Sequence, residues 1–262
     1  MGIGPLMLRW FQEDQMREIF SGSRLADLGP QGLSRTGGKR SVARQYPSGS
    51  RGLDLYFKLG IRDYVAFDLL DDIAQKCDFN NPPRGTGDFD VVTNFGTSEH
   101  IFNQSAMMRF MHELTRVGGV MFHVVPVAGG RDHGFFNYHP CFFWDLARAN
   151  NYEVLTLDYF PHYGIQSQFA RRASRIDLRR YTKQKRMKTI SDEAEIKKAS
   201  IGLFCRPEMI GMNLRILGRV LRNPKRTWGP FFDVYRIGDY VHVALRKTTE
   251  REFSMPIQGV YS

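Results

Sequence analysis

Five short apolar runs, separated by stretches with helical spacing, constrain this chain more than any other feature of its sequence. They lie at 24–29 (RLADLG), 64–70 (YVAFDLL), 89–96 (FDVVTNFG), 120–126 (VMFHVVP) and 152–160 (YEVLTLDYF). A strand with one wet face alternates apolar and polar residues, whereas a strand apolar throughout is covered on both faces, as in a parallel sheet between helix layers. Residues 9–20 place Trp10, Phe11, Met16, Ile19 and Phe20 at helical spacing and end at Ser21-Gly22, so one amphipathic helix is expected there. Residues 54–60 read as a short helix stopped by Gly60. Met107, Met108, Phe110, Met111, Leu114 and Val117 form one stripe, which predicts a core-facing helix over 104–117 with Gly118-Gly119 as its stop. A further helix is expected over 140–150. The predicted fold class is therefore α/β: a Rossmann-like, mostly parallel sheet flanked by helices.

The remaining segments set the domain organisation. The Ser-, Gly- and Arg-rich stretch 33–52 reads as a loop or insertion, with a short helical turn around Val42. Residues 77–88 are turn chemistry. We expect an N-terminal helix over 1–22 and a core over 23–160 interrupted by 33–52. A basic insertion or accessory region over 161–199 follows, and 200–262 completes the same domain with closing strands near 200–206 and 240–246 and an accessory helix between them. The chain carries 37 basic against 27 acidic residues, and 171–188 alone holds nine basic residues against one acidic. Such a run is either a solvated face or a surface for an anionic partner such as RNA, a nucleotide-sugar or a membrane surface. With one aromatic, Tyr181, it offers no stacking platform for single strands. Cys77, Cys141 and Cys205 stand far apart, which excludes a disulfide framework and a cysteine zinc site. No apolar run reaches the roughly 18 residues of a membrane span, and the first residues lack a basic segment before an apolar one. A cytoplasmic protein is expected. Nothing in the sequence specifies an oligomeric state.

Ligands of open α/β sheets bind beyond the carboxyl ends of the strands, so the residues after each run carry the functional information. The first run leads into Asp27-Leu28-Gly29-Pro30-Gln31-Gly32, an acidic residue in a turn whose glycines admit a ligand to the backbone. Asp68, at the end of the second, is placed to accept hydrogen bonds from two ribose hydroxyls, or else simply closes a strand-end turn. Asp78 and Phe79 follow in the next loop, suited to the amino group and the ring of an adenine. The third run ends in Asn94-Phe95-Gly96-Thr97-Ser98-Glu99-His100.

This order of motifs, above all 89–100 (FDVVTNFGTSEH), resembles the class I S-adenosylmethionine-dependent methyltransferases over residues 24–160. The resemblance implies methyl transfer from S-adenosylmethionine to an unidentified acceptor. It implies that Asp27 and Gly29 meet the methionine portion, Asp68 the ribose, and Asp78 and Phe79 the adenine, with Gln31 also binding the cofactor and Asn94, Phe95 and Gly96 lining the site. The long interval between Asp27 and Asp68 makes 33–52 an insertion. A nicotinamide site fits less well, because only Gly29 and Gly32 of a G-x-G-x-x-G pattern are present. For the acceptor side, the loop after the fourth run holds Arg131, Asp132, His133 and His139. His133 is the first candidate for a base or substrate orienter, followed by His139 and His100. The structural alternatives are that His100 packs the next helix, and that His133 and His139 fix a long loop. His123, on a strand, reads as a core residue. A metal site from His133, His139 and Asp132 matches no ligand spacing, and no metal is expected. The rival to an enzyme is a non-catalytic module of the same fold that meets an anionic partner through 171–188.

Overall fold

The computed structural model describes residues 2–34, 42–128, 133–160, 176–177 and 239–258. Its centre is a sheet built from β2 (Arg24–Leu28), β4 (Asp63–Asp68), β5 (Gln75–Lys76), β6 (Phe89–Phe95), β7 (Thr115–Ala128), β8 (Tyr152–Phe160), β9 (Ile176–Asp177) and β10 (Asp239–Lys247). The strands lie side by side in the order β5-β4-β2-β6-β7-β10-β8-β9. β5, β4, β2, β6 and β7 run parallel, while β10 is antiparallel to both β7 and β8. The α/β, Rossmann-like layout read from the sequence is thus present. Of the two expected closing strands, 240–246 is the centre of β10, paired between β7 and β8. The other, 200–206, the accessory helix and the side chains of the basic segment 171–188 lie outside the described residues.

Two apolar layers hold the sheet. On one face α1 (Pro5–Phe11), α2 (Asp14–Phe20) and α3 (Gly52–Lys58) bring Trp10, Phe11, Met16, Phe20 and Leu55 against Leu25, Val91, Phe95 and Phe122. On the other, α4 (Gln104–Leu114) and α5 (Pro140–Asn150) bring Met107, Phe110, Met111, Phe143 and Leu146 against Ala26, Leu28, Val92, Met121 and Val125. Successive strand residues alternate between the layers, which is why the runs are apolar throughout. Each fully buried aromatic among them contributes roughly 1.5–3 kcal/mol of transfer free energy.

Three local expectations need correction. The single helix expected over 9–20 is two, because Glu13 is extended (ψ 138) and starts α2 afresh. α4 stops at Leu114, and the chain enters β7 at Thr115, so Gly118-Gly119 lies inside a strand. There Gly118 takes φ +82 and the register against β6 shifts between Phe89 and Val91, the signature of an irregularity that glycine permits. Within 33–52, Val42–Gln45 is the expected helical turn, but β3 (Gly32–Leu33) forms a small parallel pair with β1 (Gly2–Ile3).

Candidate functional site

The connections from β2 leave toward β4 and those from β6 leave toward β7, so the order of strands reverses between β2 and β6. At such a switch point the helices on either side diverge and leave a crevice at the carboxyl ends. The turns after β2 and β6 close its floor. Thr97 Oγ1 donates to Leu28 O at 2.7 Å, and the Gly29 N–H donates to Phe67 O at 2.9 Å, tying the end of β4 to the same turn. Gly29 takes φ +75, and a Cβ there would collide with Thr97 Oγ1, so both the left-handed backbone and the close approach require glycine.

Asp27, Gly29 and Gln31 come together beneath this turn. The Asp27 carboxylate is fully buried and accepts from Thr93 Oγ1 at 2.6 Å and Tyr64 Oη at 2.9 Å. Burial pushes its pKa up to about 6, although the two hydroxyls and the positive field of Arg51 pull it down. Gln31 folds back so that Nε2 donates to Gly29 O at 2.6 Å, which leaves Oε1 buried and without a partner among the described residues. Arg51, one residue before α3, pairs with Asp71 and donates its N–H to Asp54 at 2.6 Å. Its positive charge also acts on Asp27. Sequence reasoning missed it because it lies in the segment set aside as an insertion; the only signal was an arginine just ahead of a helix.

The remaining cofactor candidates divide. Asp68 ends β4 next to the Gly29 turn, and its Oδ1 accepts the N–H groups of Leu70 (2.7 Å) and Asp71 (2.9 Å). The turn role is therefore real, and it uses one oxygen of two. Asp78 is exposed after β5, with Oδ1 closing a turn onto Asn80. Phe79 corrects the expectation that its ring meets an adenine, because it is only 4% exposed and packs against Phe110 of α4. Phe95 is likewise a core residue, fully buried with its ring 5.6 Å from Phe11. Asn94 is buried and acts as a strut: Oδ1 accepts Ser98 N, and Nδ2 lies 2.8 Å from Ser98 Oγ and 3.1 Å from His123 Nδ1. Gly96, also buried, takes φ +72 and donates its N–H to Val124 O, turning the chain toward Thr97. His123 is held neutral by burial, its pKa pushed down to about 3.

The acceptor-side candidates separate more sharply. His139 caps α5, its Nδ1 accepting the Cys141 N–H at 3.2 Å, which is the structural role weighed against catalysis. His133 instead reaches Glu99: Nε2 lies 3.1 Å from Oε1. The His100 ring stands edge-on to His133 with centroids 4.7 Å apart. Glu99 is fully buried, its pKa raised by that burial, and its Oε2 has no partner among the described residues. The turn Ser98–His100 is fixed from below by Asn94 and from the side by Tyr138, whose hydroxyl lies 2.8 Å from Ser98 Oγ. Beside it Phe102 and Phe135 are 76% and 70% exposed and meet edge to face at 6.3 Å.

A cleft of about 580 Å³ lies elsewhere, lined by Arg84, Arg109, Glu113, Lys247 and Glu250. It sits at the amino ends of β6 and β7, opposite the crevice. Its buried Lys247 Nζ is engaged by the carbonyls of His112 and Thr115 at 3.2 and 3.0 Å. It is not where this sheet presents a cofactor site. Among the described residues no helix is long and apolar enough to cross a membrane.

No family model and no curated protein matches the chain. Solved structures share its layout at low identity. A protein of Bacillus halodurans C-125 assigned as a methyltransferase is 14% identical over 92% of this chain and 99% of that one, with a TM-score of 0.47. The 1,6-didemethyltoxoflavin-N1-methyltransferase of Burkholderia thailandensis is 12% identical over 92% and 81%, with a TM-score of 0.43. The cyclase SpnF is 14% identical over 90% and 81%, with a TM-score of 0.41. A shared layout does not fix a reaction, which has to be argued from the site.

Proposed function

We propose that the chain is an S-adenosylmethionine-dependent methyltransferase. One observation carries this: Asp27 on β2 with Gly29 and Gln31 in the turn after it, Asp68 at the end of β4 and Asp78 after β5 follow three neighbouring strands, at one rim of the sheet beside its switch point. The methionine end of the cofactor brings an ammonium and a carboxylate. Gln31 Oε1, a buried acceptor with no donor among the described residues, together with the Asp27 charge below it, suits the ammonium, and Arg51 suits the carboxylate. The free oxygen of Asp68 suits the ribose hydroxyls. At the adenine, Asp78 and the local main chain remain once Phe79 is assigned to the core.

When bound, S-adenosylmethionine supplies a methyl group already activated on a sulfonium. What the protein adds is alignment and exclusion of water, effects worth several kcal/mol. The turn 97–100 and His133, at the carboxyl end of β6, hold the acceptor side: Glu99 orients His133, and the half-exposed imidazole faces whatever enters. The exposed Phe102 and Phe135 rings favour an apolar or ring-bearing acceptor.

Calorimetry on the full chain with S-adenosylmethionine and S-adenosylhomocysteine tests this. Both are expected to bind. Asp68→Asn, which keeps the turn acceptor but loses the charge, is expected to weaken both by about 10- to 100-fold, the cost of a charged hydrogen bond. Affinity unchanged in that variant would remove the ribose assignment. No heat at millimolar cofactor would leave only a non-catalytic module of this fold.

A further inference from the structure

Glu99 poses a problem that its contact with His133 does not solve. Its carboxylate is fully buried, Oε1 faces His133 Nε2, and Oε2 faces no donor among the described residues. An unsatisfied oxygen on a buried carboxylate costs about 1–3 kcal/mol, so a donor or cation beyond those among the described residues is called for beside it. The side chains around it say which kind. One ligand atom each from Glu99, His100 and His133 lie within 4.8 Å of one another. From these positions we infer that Glu99, His100 and His133 form a binding site for a divalent transition-metal ion.

The donor set decides the class of ion. Two imidazoles and one carboxylate suit zinc, iron(II), cobalt(II) or manganese(II), whereas magnesium and calcium prefer oxygen throughout. Metal–ligand bonds of about 2.1 Å place ligand atoms roughly 3.0–3.4 Å apart. Glu99 and His133 already meet that separation at 3.1 Å. His100, exposed on its turn, closes the remaining gap by side-chain rotation.

The scaffold is rigid where it must be. Glu99 O accepts the N–H groups of Phe135 (2.7 Å) and Phe136 (3.2 Å), so the segment following His133 is strapped to the residue that shares its ligand role. Gly134 takes φ +69, and a Cβ there would fall 2.8 Å from Glu99 O, so glycine is what lets the two segments close. Three protein ligands leave coordination positions open to other groups. If the methyl-transfer assignment holds, that is where an oxygen or nitrogen of a ring-bearing acceptor would be held. The site itself stands without that assignment.

The test uses the full chain, stripped with chelator and freed of any affinity tag, titrated with Co²⁺ and followed by its visible d–d absorption. Saturation at one ion per chain is expected, with Zn²⁺ displacing the cobalt. His100→Ala and His133→Ala are each expected to weaken Co²⁺ binding by at least about 10-fold, and Glu99→Gln likewise. His139→Asn, which retains the α5 cap, should bind as the parent does. If Glu99→Gln fails to fold, the exposed His100 variant still decides. No d–d bands at millimolar Co²⁺ would overturn the inference, as would bands undiminished in both histidine variants; Glu99 and His133 would then be a hydrogen-bonded pair only. Because the readout needs no cofactor, its failure is distinguishable from failure to bind S-adenosylmethionine.

Discussion

Asp27 is the residue whose chemistry the fold alters most clearly. Its carboxyl has a folded-state pKa near 6 against an ordinary 3.8, because burial penalises the charge more than Thr93 and Tyr64 repay it. A raised carboxyl pKa adds stability that is fully present below the unfolded value and is lost as pH rises through the folded one. Asp27→Asn stays neutral throughout. Near pH 4 the two proteins are therefore expected to show similar stability. Between pH 4 and 6 the variant should gain, and above about pH 6.5 it should be more stable by on the order of 3 kcal/mol, read from denaturant melts. Equal stability at all pH values would mean that Asp27 is not strained by its burial. In the proposed site the ionised carboxylate is also what a cofactor ammonium favours. Cofactor affinity should then fall as pH drops through 6 in the parent and not in the variant. The sequence named Asp27 as a ligand residue; that it lies within the strand, under hydroxyls from two neighbouring strands, came from the pairing of β2 with β4 and β6.

Among the elements, α4 shows how one stripe of side chains can claim a residue expected elsewhere. Its inner face buries Met107, Phe110 and Met111, and the loop after β5 is anchored to its start through Asn103, which bonds both Asn80 O and Asn80 Oδ1 at 3.0 Å. That anchor draws Phe79 inward onto Phe110, away from the crevice. Phe79→Ala is accordingly expected to cost about 3–5 kcal/mol of stability, as a core truncation does, with cofactor affinity of the folded fraction little changed. Lost affinity at intact stability would return the ring to the adenine. The aromatic was legible in sequence, but its direction was not, since an exposed loop and a loop pinned to a helix cap look alike there. The end of α4 was misread for a related reason. Gly118-Gly119 is a helix stop by composition, yet Thr115 begins a strand because the neighbouring β6 offers it a partner, Phe89 opposite Thr115.

At the scale of the whole molecule the charge is uneven, with a formal excess of +10 and much of it in 171–188. If that segment meets an anionic partner, replacing its arginines and lysines by glutamates should lower the salt needed to elute the chain from heparin and flatten its salt dependence. Unaltered elution would assign the run to solvent. Layer architecture followed from sequence alone, because apolar runs that do not alternate have to be covered on both faces, and only a few arrangements of helices and strands do so. The position of Gly29 and Asp68 at strand ends was equally local, set by where each run stops. Convergence was not local. Glu99 and His133 are separated by a helix and a strand in the chain. They meet because β6 and β7 are neighbours whose carboxyl ends share a rim, and because Gly134 lets the later segment close on the earlier one. Residue order carries the chemistry of each group, but which groups face one another is decided by strand pairing across tens of residues, and only the folded sheet specifies that.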